Sequence, residues 1–269
     1  MKPYFQDNDI CVYNADYKSV LPLLPELSID LILTDPPYWI TSCSWDSTIP
    51  TNEMWSLFNR LIKPSSAMIF TASQPYTSVL VSSNPKQFRH EWIYKKLCAS
   101  NFDQADYAPM KEHEEVLVFG KAKVNYYPIK IERRGSGTER VKYLFSDATR
   151  RNSGEFVGKF NNLEAEYNNK ADTLRFPSSV VEFNNRATGD RGLHPTQKPL
   201  KLFEYFIQTY SLEGQTILDP FLGSGTAIVA AKKLGRKCIG IDIEERYCRI
   251  AVDRYKQAIQ FELTGTELV

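Results

Sequence analysis

Thr216-Ile217-Leu218-Asp219-Pro220-Phe221-Leu222-Gly223-Ser224-Gly225-Thr226 is the stretch that decides the fold. Four residues of strand character end in an acid, a glycine turn follows, and residues 227–234 read as a helix. Strand, turn and helix in that order are the context a nucleotide-type fingerprint needs. Glycines let the backbone approach a ligand closely, and a helix N-terminus favours negative charge. Residues 237–242 form the next strand, and its closing acid, Asp242, can hold both hydroxyls of a ribose. The turn lacks the third glycine of the dinucleotide pattern and adds Asp219 at its start. An acid there repels a pyrophosphate and suits the ammonium group of a methionine. The turn therefore favours S-adenosylmethionine over NAD. A glycine turn alone is also a common structural device; Asp242 one strand later is what ties it to a nucleoside.

Upstream, Ile29-Asp30-Leu31-Ile32-Leu33-Thr34 is a near-continuous apolar run, as expected of a strand buried on both faces. It stops at Asp35-Pro36-Pro37-Tyr38, where two prolines end any sheet ladder. Open α/β sheets bind ligands at such carboxyl ends. The exocyclic amine of a nucleobase is a poor nucleophile, because its lone pair is delocalised into the ring. Two acceptors aimed at its N–H bonds favour a pyramidal nitrogen with the lone pair free. The Asp35 carboxylate and the Pro36 carbonyl can be those acceptors, Pro36 and Pro37 keep the geometry stiff, and Tyr38 offers a ring for a base to stack on. No metal is required. The competing reading is a proline-rich turn with no chemistry.

Around these two motifs the chain alternates. Strands are expected at residues 9–13, 29–34, 67–71, 90–94 and 115–119, with helices at 18–24, 53–61 and 76–82. From residue 121 to 191 the pattern fails in a run rich in Asn, Arg, Gly and Tyr, too long for an ordinary connection. An inserted lobe fits better than a structureless loop. The second patterned block follows, with a helix marked by Phe203, Phe206, Ile207 and Tyr210 and a final helix from 244 to about 260. Strands alternating with helices argue for a parallel, doubly wound sheet. Trp45, Trp55 and Trp92 are expected in the core.

The bulk numbers set bounds. At 269 residues, 42% hydrophobic and 24% charged, the chain is long enough for one substantial core with a modest insertion. No run of ~18 apolar residues points to a membrane span, and the N-terminus lacks the apolar core of a signal peptide. The expectation is a soluble, cytoplasmic protein with no membrane partner. Five cysteines, none in C-x-x-C spacing, suggest neither zinc nor a disulfide framework, and no metal site is expected. None follows a proline, which argues against carbon-5 cytosine methylation through a Pro-Cys nucleophile. Net charge is only +1, but between Lys86 and Lys198 there are 20 Lys and Arg against 15 Asp and Glu. A solvated polar face explains that bias about as well as a nucleic-acid footprint does.

Thr34-Asp35-Pro36-Pro37-Tyr38, then His194-Pro195-Thr196-Gln197-Lys198-Pro199, then Asp219-Pro220-Phe221-Leu222-Gly223-Ser224-Gly225-Thr226 together resemble the β-class of DNA amino-methyltransferases. In that permuted class the catalytic motif precedes the cofactor motif, with target recognition between them. The resemblance covers the two α/β blocks, roughly two thirds of the chain. It implies a doubly wound, mostly parallel, seven-stranded Rossmann-like sheet with one antiparallel edge strand and an inserted target-recognition lobe. Residues 1–120 would be the catalytic half, 121–191 the insertion and 192–269 the cofactor half. It further implies that Asp35, Pro36, Pro37 and Tyr38 hold a flipped-out base. The cofactor residues would be Asp16, Asp35, Thr196, Lys198, Asp219, Phe221, Gly223, Ser224, Gly225, Thr226, Asp242 and Ile243. Among them Asp219 takes the methionine amino group, Thr196 and Lys198 its carboxylate, and Asp242 the ribose. Asp16 sits where an acid contacts the cofactor adenine, although Ala15 replaces the glycine the family more often shows, and a capping role competes. Arg133, Arg134, Arg140, Arg150 and Arg151 are candidate DNA contacts.

The reaction implied is methyl transfer from S-adenosylmethionine to adenine N6, with cytosine N4 as the alternative. Thr34, where cytosine-modifying members tend to carry serine in a Ser-Pro-Pro-Tyr motif, favours adenine. The partners implied are DNA, with a homodimer and a restriction endonuclease counterpart left open. An RNA methyltransferase usually has the opposite motif order, and a non-catalytic relative would be expected to have lost Asp35 or the glycine turn. A dehydrogenase would want a third glycine and a hydride-transfer site.

Overall fold

The computed structural model describes residues 1–38, 51–132, 174–185 and 197–264. The chain falls into two compact units, Met1–Tyr127 with Ser179–Val269, and Pro128–Ser178. The larger is built on a nine-stranded sheet. At its centre β2 (Ile10–Asn14), β11 (Lys237–Asp242), β10 (Thr216–Asp219), β3 (Ile29–Thr34) and β4 (Ile62–Ala72) lie side by side, all parallel. Beyond β4 comes β6 (Lys111–Phe119), antiparallel to it. Next are β5 (Phe88–Ser100), antiparallel to β6, and β9 (Val180–Phe183), parallel to β5. The short β1 (Phe5–Gln6) pairs antiparallel with β2 at the opposite edge. In the smaller unit β7 (Ile131–Glu132) pairs antiparallel with β8 (Leu174–Arg175).

The sequence predicts seven strands with the antiparallel one at the edge; the sheet has nine, and β6 lies inside it, between β4 and β5. A hairpin pairs β5 with β6 but does not say which of them meets β4. Burial decides: the last five residues of β6 are all buried, whereas β5 alternates. The strand apolar on both faces takes the interior. The two extra strands are 2 and 4 residues long, too short to give a period-two signal.

Side chains alternate between two cores. Leu31 and Leu33 of β3, Ala67 and Ile69 of β4, and Ile217 of β10 face one helical layer. Ile32, Met68, Phe70 and Leu218 face the other. The first layer is α4 (Leu200–Tyr210), α5 (Thr226–Lys233) and α6 (Glu245–Thr264), which contribute Phe203, Phe206, Ala230 and Tyr255. The second is α1 (Tyr17–Val20), α2 (Thr51–Leu61) and α3 (Tyr76–Ser83), which contribute Val20, Met54, Phe58 and Leu80. α2 turns Met54, Trp55, Phe58 and Leu61 inward, the spacing of a single buried stripe. Trp55 and Trp92 are both buried, as predicted, and Trp45 lies outside the described residues. All six residues of β3 are buried, which is why its sequence reads as an unbroken apolar run. Its one acid, Asp30, is satisfied by Lys63 Nζ at 2.6 Å and the Thr216 amide at 3.0 Å.

After β6 the chain runs along the same unit. The Asn125 amide donates to the Ser65 carbonyl at 2.7 Å, Tyr127 to Thr209 at 2.8 Å, and Val124 is buried. From β10 the chain passes through α5 to β11, on one side; from β3 it passes through α2 to β4, on the other. The carboxyl ends of β10 and β3 therefore flank a topological switch point, where doubly wound sheets open a crevice.

Candidate active site

The glycine turn leaves β10 at Asp219 and enters α5 at Thr226. Gly223 and Gly225 have φ of 50° and 82°, the left-handed region that glycine adopts without steric penalty. A Cβ on Gly225 would lie 2.5 Å from the Ala251 Cβ, so α6 packs where any side chain would go. The buried Arg254 of α6 donates to the Ser224 carbonyl at 2.6 Å and stiffens the turn from behind. Ser224 and Thr226 are buried, Phe221 is half-buried with its ring 5.1 Å from that of Tyr17, and Ile243 is 62% exposed. Next door, Asp242 receives the Gly223 amide at 2.8 Å and the Glu244 amide at 2.9 Å. The ends of β11 and the glycine turn are thus tied together by one carboxylate.

Asp219 is 2% exposed and receives the Thr34 hydroxyl at 2.6 Å and the Phe221 amide at 3.2 Å. Burial pushes its carboxyl up to about 7, against those two hydrogen bonds, with Asp35 and Asp242 adding to the rise. Burial likewise lifts Asp242 to about 6. Two desolvated acids on either side of a glycine cradle suit a ligand bringing a cation to one and hydroxyl groups to the other.

Asp35 follows β3 directly, beside the end of β4. Its Oδ1 receives the Tyr38 hydroxyl at 2.5 Å and the Thr71 hydroxyl, and its Oδ2 receives Lys198 Nζ at 2.8 Å. A carboxylate has roughly four acceptor positions. Three are filled by the described residues, which leave one position on Oδ2. Tyr38 stacks on Tyr76 with ring centres 5.4 Å apart, and Pro36 is buried beneath the turn. Burial and the neighbouring Asp35 push the Tyr38 phenol well up, so it acts as a hydrogen-bond donor.

The structure thus brings Asp35, Pro36, Pro37 and Tyr38 to the edge that carries Asp219, Gly223, Gly225 and Asp242; Thr34, one residue before Asp35, bonds Asp219 itself. Lys198 is also there, engaged with Asp35 and with Glu114, an arrangement no spacing in the sequence announces. Asp16 is exposed and caps α1, accepting the Lys18 amide at 2.9 Å. Thr196, Arg133, Arg134, Arg140, Arg150 and Arg151 lie outside the described residues. Sequence reasoning missed Thr71, Tyr76, Glu114 and Lys96. It also missed Asn14, whose amide at the end of β2 donates to the carbonyls of Asp242 and Ile243 at 3.2 and 2.9 Å. Tyr17 and Tyr76 bury hydroxyls that have no hydrogen-bond partner among the described residues.

Comparison with known proteins gives a family and a shared fold. Residues 29–253 match the family described as DNA methylase, the N6/N4 group. The chain is 29% identical to the Type II methyltransferase M.ScaI of Streptomyces caespitosus, over 96% of this chain and 85% of that one. It is 27% identical to the Type II methyltransferase M2.DpnII of Streptococcus pneumoniae, over 94% and 92%. Among solved structures, the PvuII DNA methyltransferase (cytosine-N4-specific) shares the fold with a TM-score of 0.64 at 15% identity, over 98% of this chain and 96% of that one. The M1.HpyAVI–SAM complex gives a TM-score of 0.61 at 21% identity, over 91% and 99%.

Proposed function

This chain belongs to the N6/N4 DNA methylase family, and from that premise we propose that it transfers a methyl group from S-adenosylmethionine to the N6 amine of adenine, in a DNA base turned out of its stack. One observation carries the reading. Asp35, suited to hold an amine, and Asp219, suited to hold an ammonium, stand at the carboxyl ends of neighbouring strands, joined through the Thr34–Asp219 hydrogen bond of 2.6 Å. Donor and acceptor of the methyl group would then be bound side by side, and proximity does most of the catalytic work.

The residues fit this cofactor. Gly225 leaves no room for a side chain, so the backbone itself forms the cradle, and the buried Asp219 and half-buried Asp242 have acceptor capacity to spare. Asp219 would take the methionine ammonium, Asp242 the ribose hydroxyls, and Phe221, Gly223, Ser224, Gly225, Thr226 and Ile243 the wall around them. Asp16 would take the cofactor adenine, its cap on α1 using one carboxylate oxygen. The sulfonium supplies a methyl carbon already activated for in-line displacement. The chain's own contribution is to bind and orient. Asp35 Oδ2 and the Pro36 carbonyl accept the two N–H bonds of the base amine, Tyr38 supports its ring, and Asp35 takes or passes on the surplus proton. Residues 121–191 would read the DNA sequence, with Arg133, Arg134, Arg140, Arg150 and Arg151 among their contacts.

The test is mass spectrometry of nucleosides after incubating unmethylated mixed-sequence DNA with the protein and labelled S-adenosylmethionine. Labelled N6-methyladenine is expected. Labelled N4-methylcytosine would keep the amine chemistry and reverse the base; no labelled nucleoside would overturn the proposal.

A further inference from the structure

Behind Asp35 lies a row of four charges with no gap between them. Lys198 Nζ is 2.8 Å from Asp35 Oδ2 and 3.3 Å from Glu114 Oε2, and Lys96 Nζ is 2.6 Å from Glu114 Oε1. The side chains of Lys198, Lys96, Glu114 and Asp35 are 8%, 11%, 14% and 19% exposed. Minus, plus, minus and plus alternate, so the row is neutral as a whole. Stability does not explain it, because apolar residues of the same volume usually serve a core as well as or better than buried ion pairs. Its inner end reaches the one carboxylate that the reading above assigns to the substrate amine.

We propose that Glu114 is a positioning residue: it shares the Lys198 ammonium with Asp35 and so sets how strongly that cation occupies the oxygen left to receive the amine. This rests on the amine-methylation reading. With both hydroxyl donors on Oδ1, the open acceptor position on Asp35 is beside Lys198. An ammonium bound by Asp35 alone would compete for that oxygen and drain its charge. Lys198 Nζ stands 3.3 Å from Glu114 Oε2 against 2.8 Å from Asp35 Oδ2, so Glu114 draws the cation without capturing it. Lys96 fills the other oxygen of Glu114 and keeps it ionised.

The groups facing Lys198 among the described residues are Asp35 and Tyr38 from the turn after β3, Tyr94 from β5 and Glu114 from β6. Burial works against the Lys198 charge, but Asp35 and Glu114 outweigh it and hold the ammonium protonated. For Glu114, burial is outweighed in turn by Lys198 and then Lys96, which lower it. Neutralising Glu114 leaves the row with a net positive charge. Lys198 then binds Asp35 more tightly where it stays protonated, and loses its proton at lower pH.

Glu114→Gln preserves shape and removes the charge. The expected result is a kcat lowered by about 10–100-fold with KM for S-adenosylmethionine within about twofold. Glu114→Asp, which keeps the charge, should lower kcat less. A folded variant with unchanged kcat would overturn the proposal, as would a drop in Tm with kcat in place. A readout free of catalysis is acetylation of Lys198 by acetic anhydride across pH, followed by peptide mass spectrometry. Lys198 is expected to become reactive at lower pH in Glu114→Gln, or in Glu114→Asp if the glutamine variant does not fold. Identical profiles would overturn the positioning role whatever the activity. A shifted Lys198 in a protein that methylates no base would retire the methylation reading and leave the sharing of Lys198 standing.

Discussion

Asp219 and Asp242 are acids held above their ordinary range, at about 7 and about 6, because burial costs a charge more than the surrounding N–H and O–H groups return. Such a raised carboxyl favours the folded state most below the unfolded value of about 4, and that contribution is lost as pH rises through about 7. A cation arriving at Asp219 reverses the preference and must displace a proton at any lower pH. S-adenosylmethionine affinity, measured by calorimetry, is therefore expected to fall as pH drops from about 8 to about 5.5, by up to ~10-fold per unit. Asp219→Asn should bind more weakly with a shallower profile, because Asp242 still titrates at about 6. A flat profile in the unaltered protein would mean that the ammonium lies elsewhere. Asp35→Ala is expected to abolish turnover while the cofactor Kd changes by less than about threefold; undiminished methylation would remove Asp35 from the chemistry. Asp35, Asp219 and Asp242 were legible because each ends a strand that its apolar residues announce. Glu114 and Thr71 were not, since an acid and a threonine inside ordinary strand sequence look the same whether they face water or a buried lysine.

The elements themselves were largely readable. β3, β10, β11 and the intervening helices have patterns that burial on one or both faces imposes, and the structure places them as those patterns predict. Order within the sheet was less so, because the hairpin of β5 and β6 fixes a partnership and not a position. The turn between β10 and α5 is the element on which most depends. Gly225 combines φ of 82° with a Cβ position 2.5 Å from Ala251 Cβ. Left-handed backbone costs a non-glycine residue about 1–2 kcal/mol, and overpacking adds about 1–3 kcal/mol. Gly225→Ala is expected to lower Tm by about 5 °C or more and weaken cofactor binding at least tenfold. Unchanged Tm and affinity would show that α6 yields and that the turn is not a rigid cradle.

At the scale of the whole molecule, charge is distributed unevenly: the span from Lys86 to Lys198 holds 20 of the basic residues against 15 acidic ones, while net charge is only +1. If that span grips phosphates, replacing Arg133 and Arg134 together with alanine is expected to weaken DNA binding and flatten its dependence on salt by about two counterions. Equal affinity and slope would take them out of the interface. The sheet has a further consequence, one of timing. Thr34 bonds Asp219 across a sequence separation of 185, and Asn14 bonds Asp242 across 228. On the ribosome, β2 and β3 emerge long before β11 and β10 exist. At ~5–20 residues per second, the apolar β3 waits on the order of ten seconds or more with one ladder edge open. Nascent chains stalled before residue 216 therefore carry an exposed strand edge that other strands can join, and the protein is most vulnerable to aggregation while it is being made.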